Sequence, residues 1–158
     1  MDKQEFTRLA ELYMDTVYRV ARISSRNDAD AEDITQTTFL KLLSHKGMFN
    51  DDDHAKRWLI KVAVNESNLL WRKRRREDCL ETDVEQAVPD DFTDKDYELM
   101  SALTQLSPEY RQIVHLFYFE DYSAKEISKI MNISDENVRT RLSRARKMLK
   151  QFLDGKWS

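Results

Sequence analysis

The sequence contains very little glycine, proline or cysteine. Only 2 of its 158 residues are glycine and 2 are proline, far below the roughly 7% and 5% of average proteins. Tight hairpins, glycine-rich phosphate loops and dinucleotide-binding turns all require glycine, so the composition excludes them. A single cysteine excludes an intramolecular disulfide framework and a thiolate zinc cluster. We therefore expect an all-α protein of a reducing compartment.

Long apolar runs are also missing. The first residues, MDKQEFTRLAELYMDTV, mix charged and apolar side chains. They have neither the continuous apolar core of a signal peptide nor an apolar span of about 20 residues. We therefore expect a protein that works in the cytoplasm.

Residues that carry chemistry are present but not grouped. His45, His54 and His115 are scattered and form no zinc-binding motif such as HExxH. Cys79 has no second cysteine beside it, and no nucleophile has a base at a suitable spacing. We therefore expect no enzymatic activity, no catalytic residues, no metal or other cofactor, and no small-molecule substrate.

The charge is arranged in blocks. The net charge is only −3, but residues 56–76 carry about +7 and residues 139–158 about +6, whereas residues 77–98 carry about −9. Two basic stretches separated by an acidic one indicate two separate contacts with a polyanion, masked in the overall sum.

The acidic stretch also divides the chain. Residues 79–97, CLETDVEQAVPDDFTDKDY, contain a proline and many carboxylates and show no sustained helical stripe, which is typical of a linker or a weakly ordered strap. We expect an N-terminal helical domain over residues 1–78, an acidic linker over residues 79–97 and a C-terminal domain over residues 98–158.

Apolar residues recur at three- and four-residue spacing on both sides of this linker, as amphipathic helices require. Three helices are predicted before it. The first covers residues 6–20, the second is capped by Asp28 or Asp30, and the third covers residues 55–76. After the linker, Ser107-Pro108 predicts a helix start, with a cap residue followed by proline.

Residues 122–153, YSAKEISKIMNISDENVRTRLSRARKMLKQFL, give the strongest local pattern. Ser123 and Glu126 have the spacing of a capping box, and Asn132 stands where the turn needs a left-handed backbone. Apolar residues at helical spacing would pack the two helices together. They are Ile127, Met131, Ile133, Val138 and Leu142. The pattern predicts a helix-turn-helix.

The second helix of this pair has a one-sided charge. Arg139, Thr140, Ser143 and Arg144 fall on or near one exposed face that contains no acid. Beside them lie Arg141, Arg146, Lys147 and Lys150. Such a helix suits the major groove, where arginine bonds bidentately to guanine and nearby cations neutralise phosphates. The alternative is a solvated basic face on an ordinary terminal helix.

Residues 57–77, RWLIKVAVNESNLLWRKRRRE, combine Trp58 and Trp71 with the amides of Asn65 and Asn68 and a closing basic run. Proteins hold single-stranded bases in this way, because aromatic rings stack on the bases while cations follow the backbone. Two alternatives stay open: Trp58 is a core residue, and the basic run only makes a helix end soluble.

Residues 30–43, DAEDITQTTFLKLL, are too acidic to contact phosphate. They combine Asp33 and Gln36 with Thr37 and Phe39, which we expect to be exposed. An acidic helix start followed by a core stripe explains most of the segment as well.

Together, three of these segments resemble bacterial sigma factors. Residues 30–39 resemble the segment that binds core RNA polymerase, residues 57–76 the strand-opening helix, and residues 122–150 the helix-turn-helix that reads the upstream promoter element. A short chain with two domains and one linker resembles the extracytoplasmic-function (ECF) class. The resemblance implies a dissociable initiation subunit that directs polymerase to specific promoters and stabilises the opened strand.

The resemblance also implies which residues make each contact. The β′ clamp of core polymerase would be bound by Asp30, Asp33, Gln36, Phe39 and Leu40. The opened minus-ten element would be bound by Trp58, Lys61, Asn65, Arg72 and Arg74. The loop over residues 44–54 would hold a flipped base. The minus-thirty-five element would be read by Asn137, Arg139, Thr140, Arg141, Ser143, Arg144 and Lys147.

The implied partners are core RNA polymerase, promoter DNA and an anti-sigma factor. The sequence departs from the family pattern at four positions. Thr37 stands where glutamate is common, Asn68 where aspartate is frequent, Asn132 where glycine is usual and Ser128 where alanine is usual. The first two positions concern polymerase docking and strand opening, and the last two leave the fold intact.

Two other hypotheses stay open on the sequence alone. A stand-alone helix-turn-helix regulator would bind a duplex without polymerase, and its N-terminal half would sense a ligand or dimerise. An interaction protein with no role at DNA would carry its basic runs as solvated surface.

Overall fold

The computed structural model of the chain describes residues 1–77 and 101–157. Every regular element in those two ranges is helical, so the all-α prediction is confirmed there. The chain divides into two compact units, residues 1–84 and 85–158. The predicted linker, residues 79–97, lies outside the described residues. Within the described part, no helix is both long and apolar enough to cross a membrane.

The first unit contains three helices, α1 (Lys3–Ser24), α2 (Asp28–Leu43) and α3 (Asp52–Glu77). Each helix packs against the other two, because each presents an apolar stripe at helical spacing. The side chains that this packing buries almost completely include Leu9, Val17, Leu42, Leu59, Ile60 and Val64. The three helices predicted before the linker are confirmed.

The start of α3 lies earlier than the predicted residue 55. Asp51 supplies the cap, since its carboxylate accepts the N–H of His54 at 2.7 Å and its carbonyl accepts the N–H of Ala55 at 3.2 Å. These two bonds satisfy backbone donors that a helix start otherwise leaves without a partner. The cap thereby fixes the point at which the preceding loop becomes helix.

The start of α2 corrects the sequence analysis. The capping side chain is Asn27, whose Oδ1 accepts the N–H of Asp30 at 2.8 Å, and not Asp28 or Asp30. Asp30 is only 3% exposed, and its carboxylate accepts a hydrogen bond from Arg74 of α3 at 2.5 Å. A buried carboxylate requires such a charged partner. Asp30 was expected to bind polymerase. Because it is buried and paired with Arg74, it is a structural residue and is not available at the surface.

The described part of the second unit is also helical. Residues 101–103 form a helical turn, and α4 (Pro108–Val114) continues directly into a π-helical turn (His115–Phe119). Two further helices follow, α5 (Ala124–Met131) and α6 (Asp135–Trp157). Both α4 and α5 pack on α6. The side chains buried there include Leu103, Ile113, Leu116, Ile127 and Val138.

The predicted helix-turn-helix is formed by α5, the turn after it and α6. Ser123 and Glu126 make the reciprocal capping-box hydrogen bonds at 3.1 and 3.2 Å. Asn132 adopts the predicted left-handed conformation, with φ 55° and ψ 47°, which ends α5 and redirects the chain toward α6. The capping residues and the turn residue in the sequence were sufficient to predict this motif.

The π-helical turn was not predicted. It closes through the N–H of Glu120, which donates to the carbonyl of His115 at 3.1 Å. The buried His115 ring stacks on Phe119 with 5.4 Å between centroids, and its Nε2 lies 3.3 Å from the Glu120 carboxylate. The wider turn thus encloses a buried polar pair in the second unit.

Replacing Arg74 by alanine should destabilise the first unit, because the buried Asp30 carboxylate loses this guanidinium. Breaking a fully buried ion pair costs about 3–5 kcal/mol. The Arg74 side chain is 34% exposed, so water compensates in part and we expect a loss of about 2 kcal/mol. The measurement is thermal unfolding of the whole chain, combined with hydrogen exchange of the amides of α2 and α3.

Arg72→Ala is the matched control, since it removes the same charge from an exposed position of the same helix. It should change the free energy of unfolding by less than about 0.5 kcal/mol. Equal losses of stability in the two variants would contradict the structural role of Arg74.

Candidate nucleic-acid and protein interfaces

The helix α6 buries one face and exposes the opposite one. The buried face contains Val138, Leu142, Ala145 and Leu149. Exposed residues recur at three- and four-residue intervals on the other side; these are Asn137, Thr140, Arg144 and Lys147, with Arg139 and Ser143 beside them. Ser134 caps the helix by accepting the N–H of Asn137 at 3.1 Å. The result is a rigid, exposed and basic surface, which we call the α6 face.

Two further cations of α6 are engaged within the unit. The Arg146 Nε donates to the hydroxyl of Tyr118 at 2.5 Å, and its guanidinium lies 5.5 Å from the centroids of Tyr118 and Phe117. Arg141, which was predicted to bind DNA, is half-buried and lies 3.7 Å from Glu109 of α4. Both side chains therefore link α6 to the preceding elements, whereas the members of the α6 face are exposed.

Four of the five residues predicted to bind the downstream element lie along one stripe of α3. Trp58, Lys61, Asn65 and Arg72 are spaced by three, four and seven residues, so they share a helix face. Lys61, Asn65 and Arg72 are exposed, and Trp58 is partly exposed. We call this the α3 stripe. Arg74, the fifth predicted residue, turns toward α2 instead and pairs with Asp30.

An aromatic cluster joins the loop before α3 to this stripe. The Phe49 ring stacks on His45 at 4.5 Å and meets His54 edge-on at 5.2 Å. Trp58 packs against both His45, at 4.8 Å, and Phe49, at 5.7 Å. Trp58 is thus neither a pure core residue nor a free ring, and two histidines nine residues apart meet around Phe49. The recurrence of aromatic rings every four or five residues over 45–58 was the signal for this cluster.

A network of charges at the start of α3 holds this region to α1. The Arg8 guanidinium donates to both carboxylate oxygens of Asp52, at 2.9 and 3.0 Å, and also to Glu5. These hydrogen bonds hold the pKa of Asp52 and the pKa of Glu5 below their ordinary values. The hydroxyl of Tyr13 donates to the carbonyl of Asp52 at 3.2 Å. The loop therefore ends on an anchored residue.

The helix α2 presents a second kind of surface. Asp33, Gln36 and Leu40 are exposed and lie on one face of the helix, and Leu40 is 58% exposed. Phe39, which was expected to be exposed, is only 5% exposed and meets Phe6 of α1 edge-on at 6.5 Å. That expectation is wrong, because α1 covers Phe39.

A groove lies between α1 and α2. Its lining is almost entirely apolar at the surface and consists of Phe6, Met14, Tyr18, Glu32, Thr35, Gln36, Phe39 and Leu40. Phe39 therefore contributes to the floor of the groove. The sequence did not predict that Phe6, Met14 and Tyr18 of α1 line this groove. The available signal was Met14, an apolar residue that lies off the main apolar stripe of α1 and is 42% exposed. We call this feature, together with Asp33, the α2 groove.

In the described residues, no group of histidine, cysteine, aspartate and glutamate side chains is arranged to hold a metal ion. His45 and His54 are engaged with aromatic rings, and His115 is buried in the second unit. The surfaces that stand out in the described residues are two basic or amide-rich helix faces and one apolar groove with acidic residues at its edge.

Each of the two units matches a family model. The model described as sigma-70 region 2 matches residues 9–77, and the model described as sigma-70, region 4 matches residues 96–149. The first range contains the α3 stripe and all of the α2 groove except Phe6, and the second contains the α6 face. The two ranges together cover most of the chain.

Curated relatives match along nearly the whole length. The ECF RNA polymerase sigma factor SigM of Bacillus subtilis is 32% identical over 147 residues, which are 89% of this chain and 90% of SigM. The RNA polymerase sigma factor SigV of the same organism is 30% identical over 150 residues, which are 94% of this chain and 84% of SigV.

Solved structures share the fold. The sigma factor RpoE, crystallised in complex with the anti-sigma factor NepR from Bartonella quintana, matches with a TM-score of 0.79 and 23% identity, over 96% of this chain and 98% of RpoE. CnrH, solved with the cytosolic domain of CnrY, matches with a TM-score of 0.69 and 22% identity, over 98% of this chain and 90% of CnrH.

These findings decide between the hypotheses that the sequence left open. A stand-alone helix-turn-helix regulator does not account for a sigma-70 region 2 over the first unit, so that hypothesis is wrong. An interaction protein with no role at DNA does not account for either match. The resemblance stated from the sequence is confirmed: the chain belongs to the sigma-70 family and is a sigma factor of the ECF class, which directs RNA polymerase to promoters.

Proposed function

We propose that the two domains divide the work of initiation. The N-terminal domain, residues 1–78, binds core polymerase through the α2 groove and the opened downstream element through the α3 stripe. The C-terminal domain, residues 98–158, reads the upstream duplex through the α6 face, and the linker over residues 79–97 joins the two. The chain acts by binding alone, without a catalytic residue or cofactor. The main support is that three surfaces of different chemistry lie on different helices, so polymerase, the opened strand and the upstream duplex can each contact separate residues.

The chemistry of the α2 groove favours a helical partner. Leu40 and the apolar lining offer a hydrophobic seat, and Glu32 and Asp33 add negative charge at its edge. An amphipathic helix with an apolar stripe and flanking cations fits such a surface. We assign this surface to the clamp helices of the polymerase β′ subunit.

The α3 stripe supports binding of an opened strand. Trp58 offers a partly exposed ring, Asn65 an amide that can bond to base edges, and Lys61 and Arg72 cations for the backbone. Extruding a base costs a few kcal/mol, and stacking on an aromatic ring contributes about 1–3 kcal/mol per base. The two amounts are similar, so a strand that has begun to open can be held without ATP.

The α6 face supports readout of a duplex. Arg139 and Arg144 are exposed and can reach guanine edges in a major groove, while Lys147 lies where a phosphate contact is expected. Asn137 and Thr140, nearer the N-terminus of the helix, add neutral hydrogen-bonding groups. The partial positive charge at the N-terminus of α6 and the cationic side chains thus both attract the DNA phosphates.

We propose further that an anti-sigma factor restrains the chain in the cytoplasm. The α2 groove supports this, because an inhibitor that covered Leu40 and the neighbouring apolar lining would prevent polymerase from docking. The inhibitor and polymerase would then compete for one surface, and release of the inhibitor would start transcription.

The proposal predicts that the chain and polymerase bind promoter DNA together. Alone, the chain should bind duplex DNA weakly, because its net charge is −3 and residues 77–98 carry about −9. The measurement is the affinity for one promoter duplex of the chain, of core polymerase and of both together, in the same salt. Specific binding is expected only with both, and binding by the free chain as tight as that of the complex would refute the proposal.

Substitutions on the α6 face should separate base contacts from phosphate contacts. Arg144→Ala should cost about 1–3 kcal/mol of binding at one upstream base pair and relax the preference there, whereas Lys147→Ala should weaken all promoter variants alike and lower the salt dependence by about one counterion. The measurement is binding of the polymerase complex to a set of single-base promoter variants. A uniform loss for Arg144→Ala would reassign that residue to a phosphate.

A charge in the α2 groove should block docking. Leu40→Asp should weaken the affinity for core polymerase by about tenfold or more, since a carboxylate in an apolar contact loses hydration. Leu40 is 58% exposed, so the fold should be unaffected. Leu43→Asp is the control, because Leu43 is 45% exposed on the same helix but does not line the groove. Equal affinities of the two variants would exclude the groove as the docking surface.

A further inference from the structure

Arg141 borders the α6 face without belonging to it. It lies one helical turn from Asn137, four residues before it, and from Arg144, three residues after it. Both of those side chains are exposed, whereas only 27% of the Arg141 side chain is exposed. Its guanidinium is therefore beside the surface that we assign to duplex DNA, but it is directed toward α4.

The partner of Arg141 on α4 is Glu109, in the first turn of that helix. A carboxylate oxygen of Glu109 lies 3.7 Å from Nη1 of Arg141, and the Glu109 side chain is 64% exposed. The distance is longer than a hydrogen bond, and an exposed ion pair contributes little to stability. The main effect of the pair is therefore on the charge at the edge of the α6 face, and not on the fold.

The composition of α6 gives this carboxylate its importance. Residues 137–153 contain six arginine and lysine residues and no aspartate or glutamate. The segment therefore has no acid of its own beside its cations. Glu109 brings a negative charge to it from another helix, and that charge is placed at Arg141.

A DNA phosphate would compete with Glu109 for Arg141. A helix in the major groove has phosphates along both of its flanks, and each phosphate that a cation neutralises releases counterions and adds affinity. A guanidinium that remains at a carboxylate makes no such contact. The pair thus removes one backbone contact from the α6 face, and this loss does not depend on the base sequence.

We propose that Glu109 withholds Arg141 from the DNA backbone and so lowers the affinity of the α6 face for any duplex. The inference rests on the proposed function, because it requires a duplex on the α6 face. Glu109 is then a positioning residue, which acts on DNA through Arg141. Non-specific binding depends almost entirely on backbone contacts, so withholding one of them favours release from DNA that carries no promoter.

The test is a double-mutant cycle of Glu109→Gln and Arg141→Met in the complex of the whole chain with core polymerase. Glu109 is exposed, so glutamine should leave the fold intact, and methionine keeps the apolar stem of the half-buried arginine without its charge. The measurement is the affinity for a duplex with the upstream element and for an unrelated duplex, over a series of salt concentrations.

Glu109→Gln should raise both affinities by about two- to fivefold near physiological salt and steepen the salt dependence by about one counterion, because Arg141 becomes available to a phosphate. In the presence of Arg141→Met, the same substitution should change both affinities by less than about 1.5-fold, since the cation that it releases is missing.

Three results would overturn the inference. No gain with Glu109→Gln would show that Arg141 is not withheld. An equal gain with and without Arg141 would make Glu109 a general negative charge, and a gain confined to the promoter duplex would place the pair at a base. Failure of the proposed function looks different: Lys147→Ala and Arg144→Ala would then also leave both affinities unchanged, and the α6 face would not be a DNA surface.

Discussion

The structure of the first unit depends on α3 being packed along one side and open along the other. Leu59, Ile60 and Val64 are completely buried, while the α3 stripe on the opposite side remains accessible. The ion pairs support this arrangement from the packed side. Arg74 holds α2 through Asp30, Lys41 of α2 contacts Glu66 of α3, and Arg8 holds Asp52. These ion pairs join α3 to α1 and α2 and leave the proposed DNA surface, the α3 stripe, exposed.

The second unit uses the same division of a helix into two sides. The apolar side of α6 is buried, and Arg141 and Arg146 fasten its flank to α4 and to the π-helical turn. Arg139, Arg144, Lys147 and Lys150 are exposed. The chain as a whole has a net charge of −3. Any electrostatic attraction to DNA therefore comes from the two basic surfaces and not from the net charge. The proposed function accordingly expects weak DNA binding by the free chain and specific binding together with polymerase.

The sequence was most informative where the physical cause is local. Ser123, Glu126 and Asn132 determine the entry and exit of α5 through their own side chains or backbone preference, and all three were identified. Prediction was wrong where the cause lies far along the chain. Asp30 is buried because Arg74, 44 residues away, can pair with it, and Phe39 is covered by Phe6 of another helix.

The candidate surfaces show the same limit. The spacing of Trp58, Lys61, Asn65 and Arg72 puts them on one side of a helix, because helical periodicity alone decides it. The meeting of His45 and His54 around Phe49 and the groove between α1 and α2 depend on how the loop and the helices pack. Helical periodicity within one segment does not determine how segments pack, so the groove and the anchored loop could be found only in the folded chain.

The central claim is that this chain gives polymerase its choice of promoter. The most direct measurement maps the 5′ ends of RNA made by purified core RNA polymerase on chromosomal DNA, with and without the added chain. The account predicts a set of new start sites that appear only with the chain and share an upstream and a downstream element at constant spacing. The same start sites in both reactions would contradict it.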